Sequence, residues 1–217
     1  ALFHQQTHFK DNTFYSFSVC TLPPAMNIKF ARVESTWGLT TQINAWTQNE
    51  KNTLSFDDKA YAYVFEWQHF LAPKLLNTLT TLGINAKVAT KTFSAEVAGE
   101  NRAFNTGSII IPAGNQKLEN WRTVLKQHAT NNNIPMIALN TGLTVKGIDI
   151  GSSSFRPVHK PRVLLVGGKG VSQYEAGEML FYIDEMLNIP VTVVEQQRMG
   201  RIDLARYSHI IMVDGRY

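Results

Sequence analysis

Apolar and polar positions keep two different rhythms along most of this chain. Ala60-Tyr61-Ala62-Tyr63-Val64-Phe65, Ser108-Ile109-Ile110-Ile111-Pro112 and Val163-Leu164-Leu165-Val166 are short, nearly continuous apolar runs. Runs of that length mark strands covered on both faces. Ala86–Ala89, Met136–Leu139, Val191–Val194 and His209–Val213 add further strands, and Arg102 to Gly107 reads as an extended stretch and turn. Between the strands the spacing changes to three and four. Leu75, Leu76, Leu79 and Leu82 share one helical face. Pro73 sits at the start of that helix, where its missing N–H costs nothing, and Gly83 stops it. Leu118, Trp121, Val124 and Leu125 carry a second helix, which Asn131-Asn132-Asn133 ends. Ala176, Met179, Leu180, Ile183, Met186 and Leu187 carry a third, and a short helix surrounds Asp203-Leu204-Ala205.

Strands thus alternate with helices over residues 60–214. That order predicts an α/β fold with a mainly parallel sheet and helices on both faces. Residues 1–58 follow no such order and read as an irregular N-terminal segment, part of a domain that is cut. Within it Phe14–Val19 is a candidate strand, Pro23-Pro24 an interruption, and Arg32-Val33-Glu34 and Gln42–Trp46 weaker strands. Residues 59–150 form an α/β subdomain. Gly151-Ser152-Ser153-Ser154 with Pro157 and Pro161 makes 151–161 a linker, and 162–217 begins a second α/β domain. The start, Ala1-Leu2-Phe3-His4-Gln5, lacks an initiator Met and the pattern of a signal peptide. The end stops just after an apolar run. Both ends read as cuts in a larger protein.

Composition narrows the function classes. Hydrophobic residues make up 44% of the 217 and charged residues 18%, a balance opposite to that of disordered chains. The net charge of +4 comes from 21 basic and 17 acidic residues. The basic residues are scattered, with no run to mark a nucleic-acid stripe. No apolar stretch reaches the roughly 20 residues of a membrane helix. Cys20 is the only cysteine, which excludes an internal disulfide and any zinc site built on cysteines.

Candidate chemistry gathers at one turn. Gly167-Gly168-Lys169-Gly170 joins a strand's C-terminal end to a helix start, where open sheets bind ligands and free N–H groups favour anions. Ser172 and Glu175 form a capping box across that start, satisfying two free N–H groups. Gly168, Gly170, Ser172 and Glu175 are therefore the candidate ligand contacts, beside the plainer reading of a tight turn that needs glycine. The dinucleotide pattern fails because position 173 is Gln, and the phosphate-loop pattern fails because Gly170 follows Lys169. His4 and His8 have the spacing of a zinc pair, but Gln5 stands where a metalloprotease needs Glu. None of the histidines has Glu three residues later. Cys20, before Pro23-Pro24, lacks the glycines of a nucleophile elbow and reads as a small buried residue. Trp67, Phe70, Trp121 and Tyr174 have the spacing of core aromatics more than of a sugar platform. These residues supply no catalytic group and no metal ligand.

Arg162–Glu178, with its lead-in Gly147-Ile148-Asp149-Ile150-Gly151-Ser152, resembles the C-terminal region of large bacterial zinc carboxypeptidase-like proteins of the carboxypeptidase A superfamily. Phe14-Tyr15 to Thr21-Leu22-Pro23, Val88–Lys91 and Ile110-Ile111-Pro112 fit the same resemblance. It implies a flavodoxin-like, class I glutamine amidotransferase-like domain. It also implies that zinc and the catalytic residues belong to a peptidase domain outside this segment, so that the segment itself holds no cofactor. The expected function is a non-catalytic amidotransferase-like accessory region that supports the peptidase domain or its substrate. That domain of the same parent chain is the expected partner, without nucleic acid or a membrane span, and the expected location is periplasmic or secreted. Two alternatives stay open. One is an independent module binding a small molecule or anion at the turn 167–170. The other is an enzyme whose nucleophile lies beyond Tyr217, since amidotransferases carry a cysteine elbow one strand further on.

Overall fold

The computed structural model of the chain describes residues 56–217. The candidate strands before residue 56, the His4–His8 pair and Cys20 lie outside the described residues. The larger of two compact units comprises residues 52–67 and 71–217, and every strand and helix named below belongs to it.

The first half of the unit is built on β1 (Ala62–Phe65), α1 (Ala72–Thr81), β2 (Lys87–Ala89), β3 (Phe93–Val97), β4 (Glu100–Phe104) and β5 (Ile109–Pro112). It continues with α2 (Trp121–Asn131), β6 (Ile137–Leu139), β7 (Lys146–Gly147) and β8 (Phe155–Pro157). Five of these strands form one sheet in the order β6-β1-β5-β2-β8, and a second sheet has the order β4-β3-β7. Every pairing in both sheets is antiparallel.

The alternation of side chains along β1 explains the layers. Tyr63 and Phe65 lie opposite Ile111 and Ile109 and pack with Leu75 and Leu79 of α1 and Trp121 and Leu125 of α2. Ala62 and Val64 point the other way, with Ile110, to meet Phe93, Ala95 and Phe104 of the second sheet. A strand with a helix layer on one face and a sheet on the other has no solvent face, so its sequence is apolar throughout. Removing a side chain such as Phe65 from water contributes about 1.5–3 kcal/mol.

The second half comprises β9 (Val163–Gly167), α3 (Gln173–Leu180), β10 (Val191–Glu195) and β11 (His209–Met212). Its three strands pair in the order β10-β9-β11, and both pairings are parallel. A wider turn, Phe181–Met186, prolongs α3. It packs Ile183 and Leu187 against Val163 on one face of the sheet. Met199, Ile202 and Tyr207 from the short turns after β10 pack against Leu164 and Val166 on the other. Asn77 of α1 donates to the Asn188 carbonyl at 2.6 Å, linking the two halves.

The expected fold class is thereby corrected. Among the described residues parallel pairing is confined to the three strands after residue 162, and the fold is not a mainly parallel, helix-flanked sheet of the flavodoxin-like or amidotransferase-like kind. Apolar runs point to parallel strands because they lack a polar face. That signal reports cover on both sides and says nothing of direction. The β3–β4 hairpin supplies the rest of the cause. It turns at Ala98 and Gly99, both with positive φ, and brings β5 back between β1 and β2, antiparallel to each. In this half a helix between two strands therefore does not make them neighbours, as it does for β9 and β10. Phe155–Pro157, inside the expected linker, is the edge strand β8, paired with β2.

Candidate functional site

The turn after β9 holds all four residues singled out from the sequence. Gly168 and Gly170 both have φ of +94°, a left-handed backbone that glycine adopts without steric cost. The Ser172 hydroxyl caps α3 by accepting from the Glu175 N–H at 3.5 Å. The reciprocal half of the capping box does not form. The Glu175 carboxylate accepts instead from the Asp214 N–H at 2.8 Å, and the Ser172 N–H donates to the Asp214 carbonyl at 2.8 Å.

The chain's own residues 214–216 thus lie across the turn. The Arg216 N–H donates to the Gly170 carbonyl at 2.9 Å, and Val171 and Gly215 pair as an isolated antiparallel bridge. The Gln196 amide donates to the Arg216 carbonyl at 2.8 Å. A Cβ added at Gly215 would stand 3.0 Å from the Gly170 carbonyl oxygen, so the two backbones approach closely. Gly170, Ser172 and Glu175 act as a clip on the exit of β11. The pairing of Asp214 with Glu175 spans 39 positions, and no local spacing rule connects residues so far apart.

A hydroxyl–imidazole pair escaped the sequence reading. The Ser208 Oγ lies 2.9 Å from His209 Nδ1. The same oxygen accepts from the Arg162 N–H at 2.8 Å and bonds the Arg162 carbonyl at 3.2 Å. A nucleophile needs its base oriented by a third group, and among the described residues no carboxylate bonds the His209 ring. The Ser208 hydroxyl is spent on the main chain of Arg162, and its role is to fasten the entry of β9 to the entry of β11.

Next to that fastening is a cavity of about 460 Å³ at the N-terminal ends of the parallel strands, the end away from the glycine turn. Lys160, Arg162 and Arg206 line it, with Thr192, Pro190 and Tyr207. The sequence reading passed over it because its cations come from two separated segments and read as scattered surface charge.

The aromatics divide. Trp121 is core, packed edge-on against Tyr63, whereas Trp67, Phe70 and Tyr174 are exposed, Tyr174 at 89%. Burial raises the Tyr63 phenol above its ordinary value near 10, and the neighbouring Arg122 guanidinium opposes the shift. The Tyr63 hydroxyl donates to the Asp57 carbonyl. Among the described residues no three of His, Cys, Asp and Glu gather in a metal-binding group, and no helix is long and apolar enough to cross a membrane. The chain matches no family model, no curated protein and no solved structure.

Proposed function

We propose that this chain is a non-catalytic accessory region of a zinc carboxypeptidase-like protein, supporting the peptidase domain or holding substrate near it. The observation that carries the reading is the closed glycine turn. At this turn, where an open sheet would offer a ligand its backbone, Gly170 and Ser172 bond residues 214–216, and the Glu175 carboxylate does the same. A turn whose polar groups are engaged by the chain itself serves to hold structure. The resemblance of Arg162–Glu178 to the C-terminal region of such proteins supplies the partner. Zinc and the catalytic groups then belong to the peptidase domain, and this chain contributes surface to a periplasmic or secreted protein.

The test has two arms. With zinc supplied, the chain alone releases no C-terminal residue from a blocked dipeptide and no ammonia from glutamine. A zinc carboxypeptidase-like protein carrying this region loses turnover or folding yield when residues 1–217 are deleted. Turnover by the chain alone refutes the reading, and so does undiminished turnover after the deletion.

A further inference from the structure

We infer that the cavity between the N-terminal ends of β9 and β10 is a binding site for a small organic molecule carrying two or more oxyanion groups, phosphate or carboxylate. The argument begins with charge. Lys160, Arg162 and Arg206 converge on one cavity of about 460 Å³, and among the described residues no acidic one lines it. Among the described residues the ion pairs are Arg102–Glu66 and Arg198–Glu195, and neither involves these three. The three segments that line the cavity, 160–163, 190–192 and 206–207, contain no Asp or Glu. The two nearest acidic residues in sequence, Asp203 and Glu195, are engaged elsewhere, Asp203 accepting from the Ala205 N–H at 3.1 Å and Glu195 pairing with Arg198. Like charges held together without a counter-ion repel one another, and a bound anion relieves that repulsion. In a chain with 17 acidic residues against 21 basic, a wholly cationic cavity is a local arrangement and not a consequence of composition.

The walls are held in place. The Arg162 main chain bonds Ser208 and His209 through four hydrogen bonds of 2.8–3.2 Å. Tyr207 packs on the core of the C-terminal sheet, beside Leu164 and Val166. Pro161 and Pro190, two positions before Val163 and Thr192 respectively, fix the backbone that leads into them, because their rings lock φ. Two guanidinium groups can each grip an oxyanion by two parallel bonds, and the lysine adds a point charge. Pro190, Val163 and the Tyr207 ring offer an apolar wall to the body of the ligand, and Thr192 a hydroxyl. The volume lies in the range of small-molecule sites. The site is separate from the glycine turn and does not depend on the peptidase reading.

The test is calorimetric titration of the whole chain with pyrophosphate and, separately, with citrate, at about 0.15 M ionic strength. One of the two binds saturably at one site per chain, and which one does so distinguishes phosphate from carboxylate chemistry. Arg162→Gln with Arg206→Gln weakens that binding more than tenfold, and Lys160→Gln weakens it several-fold. Arg198→Gln with Arg201→Gln, a charge-matched change elsewhere on the C-terminal unit, leaves it unchanged. If the double arginine variant fails to fold, Lys160→Gln against the same control pair decides the matter alone. Absence of binding by both probes overturns the inference. So does binding that the cavity variants leave intact or that the control pair weakens equally, since that is charge attraction without a site.

Discussion

The five-stranded antiparallel sheet and the three-stranded parallel sheet use the same kind of strand and bury it very differently. Ile109, Ile110 and Ile111 of β5 are all buried. In β11 the comparable run leaves Ile210 42% and Met212 51% exposed, and in β10 Val193 is 53% exposed. The cause lies in the layers. β5 runs between β1 and β2 with helices on one face and the second sheet on the other. In the parallel sheet, among the described residues, only β9 has a strand on each side and cover on both faces. An apolar run is therefore a statement about the cover a strand can use, and the two regions show how far that cover varies within one chain.

The contrast is sharpest in truncations to alanine. Ile110→Ala removes a side chain with no exposure from a filled layer and destabilises the fold by about 2–5 kcal/mol. Ile210→Ala, in the outer parallel strand, costs less than about 1 kcal/mol, because much of that side chain already meets water. Urea unfolding of the two variants checks this. Equal losses would mean that the parallel sheet is as fully covered as the antiparallel one, and the comparison would fail.

Gly147 tests how closely β7 approaches β3 within the second sheet. It sits in β7 with φ of +97°, and a Cβ there would stand 2.6 Å from the Thr92 carbonyl oxygen. Gly147→Ala meets both backbone strain and a clash with main chain that cannot swing aside. The expected loss is about 2–3 kcal/mol. Gly177, with nothing within 4 Å of its added Cβ, is the contrast within α3 of the parallel half. Gly177→Ala raises stability by about 0.5–1 kcal/mol through helix propensity. Thermal unfolding separates the two, and a loss at Gly177 would mean that its face of α3 is covered after all.

Much of this architecture was legible. The helices around Leu75–Leu79 and Trp121–Leu125 and the strands at residues 62–65, 109–112 and 163–167 stand where periodicity and the stop signals at Gly83 and Asn133 put them. Strand direction was not legible, because the Ala98-Gly99 turn carries no strong hairpin signature and the apolar runs are blind to polarity. At the glycine turn, the Ser172 cap was legible from its spacing to Glu175. The actual partner of Glu175 was not, since Asp214 reaches it only through the parallel pairing of β9 with β11. The cationic cavity was hidden for the same reason, with Arg162 and Arg206 brought together by tertiary structure alone.

Tyr63 offers a pH test of the layered half. Its phenol is raised above its ordinary value chiefly by burial, so the folded state holds the proton more tightly than the unfolded chain. The contribution is fully present below about pH 10. As the pH climbs past the unfolded-state value towards the higher folded one, the unfolded chain ionises first and stability falls. Tyr63→Phe removes that fall while losing the hydrogen bond to Asp57. The difference in unfolding free energy between the two proteins is therefore constant below about pH 10 and shifts in favour of the variant above it. A difference that stays flat through the alkaline range would place Tyr63 in contact with water.

An effect as small as that at Gly177 concerns the hairpin that sets the direction of β5. Ala98 has φ of +52° and Gly99 φ of +84°, the sign pair of a type I′ turn, which suits the twist of a two-residue hairpin. Alanine occupies the left-handed region at a cost of roughly 1–2 kcal/mol, and asparagine tolerates it better because its short polar side chain can bond locally. Ala98→Asn converts the turn to Asn-Gly, the pair most favoured for this geometry, and stabilises the fold by about 0.5–1 kcal/mol. The gain appears as a higher urea midpoint with an unchanged slope, and as slower amide exchange in β3 and β4 relative to β9 and β10. If exchange slowed equally in all four strands, the hairpin and the parallel sheet would open as one cooperative unit. The two regions would then differ in cover but not in the order in which they come apart.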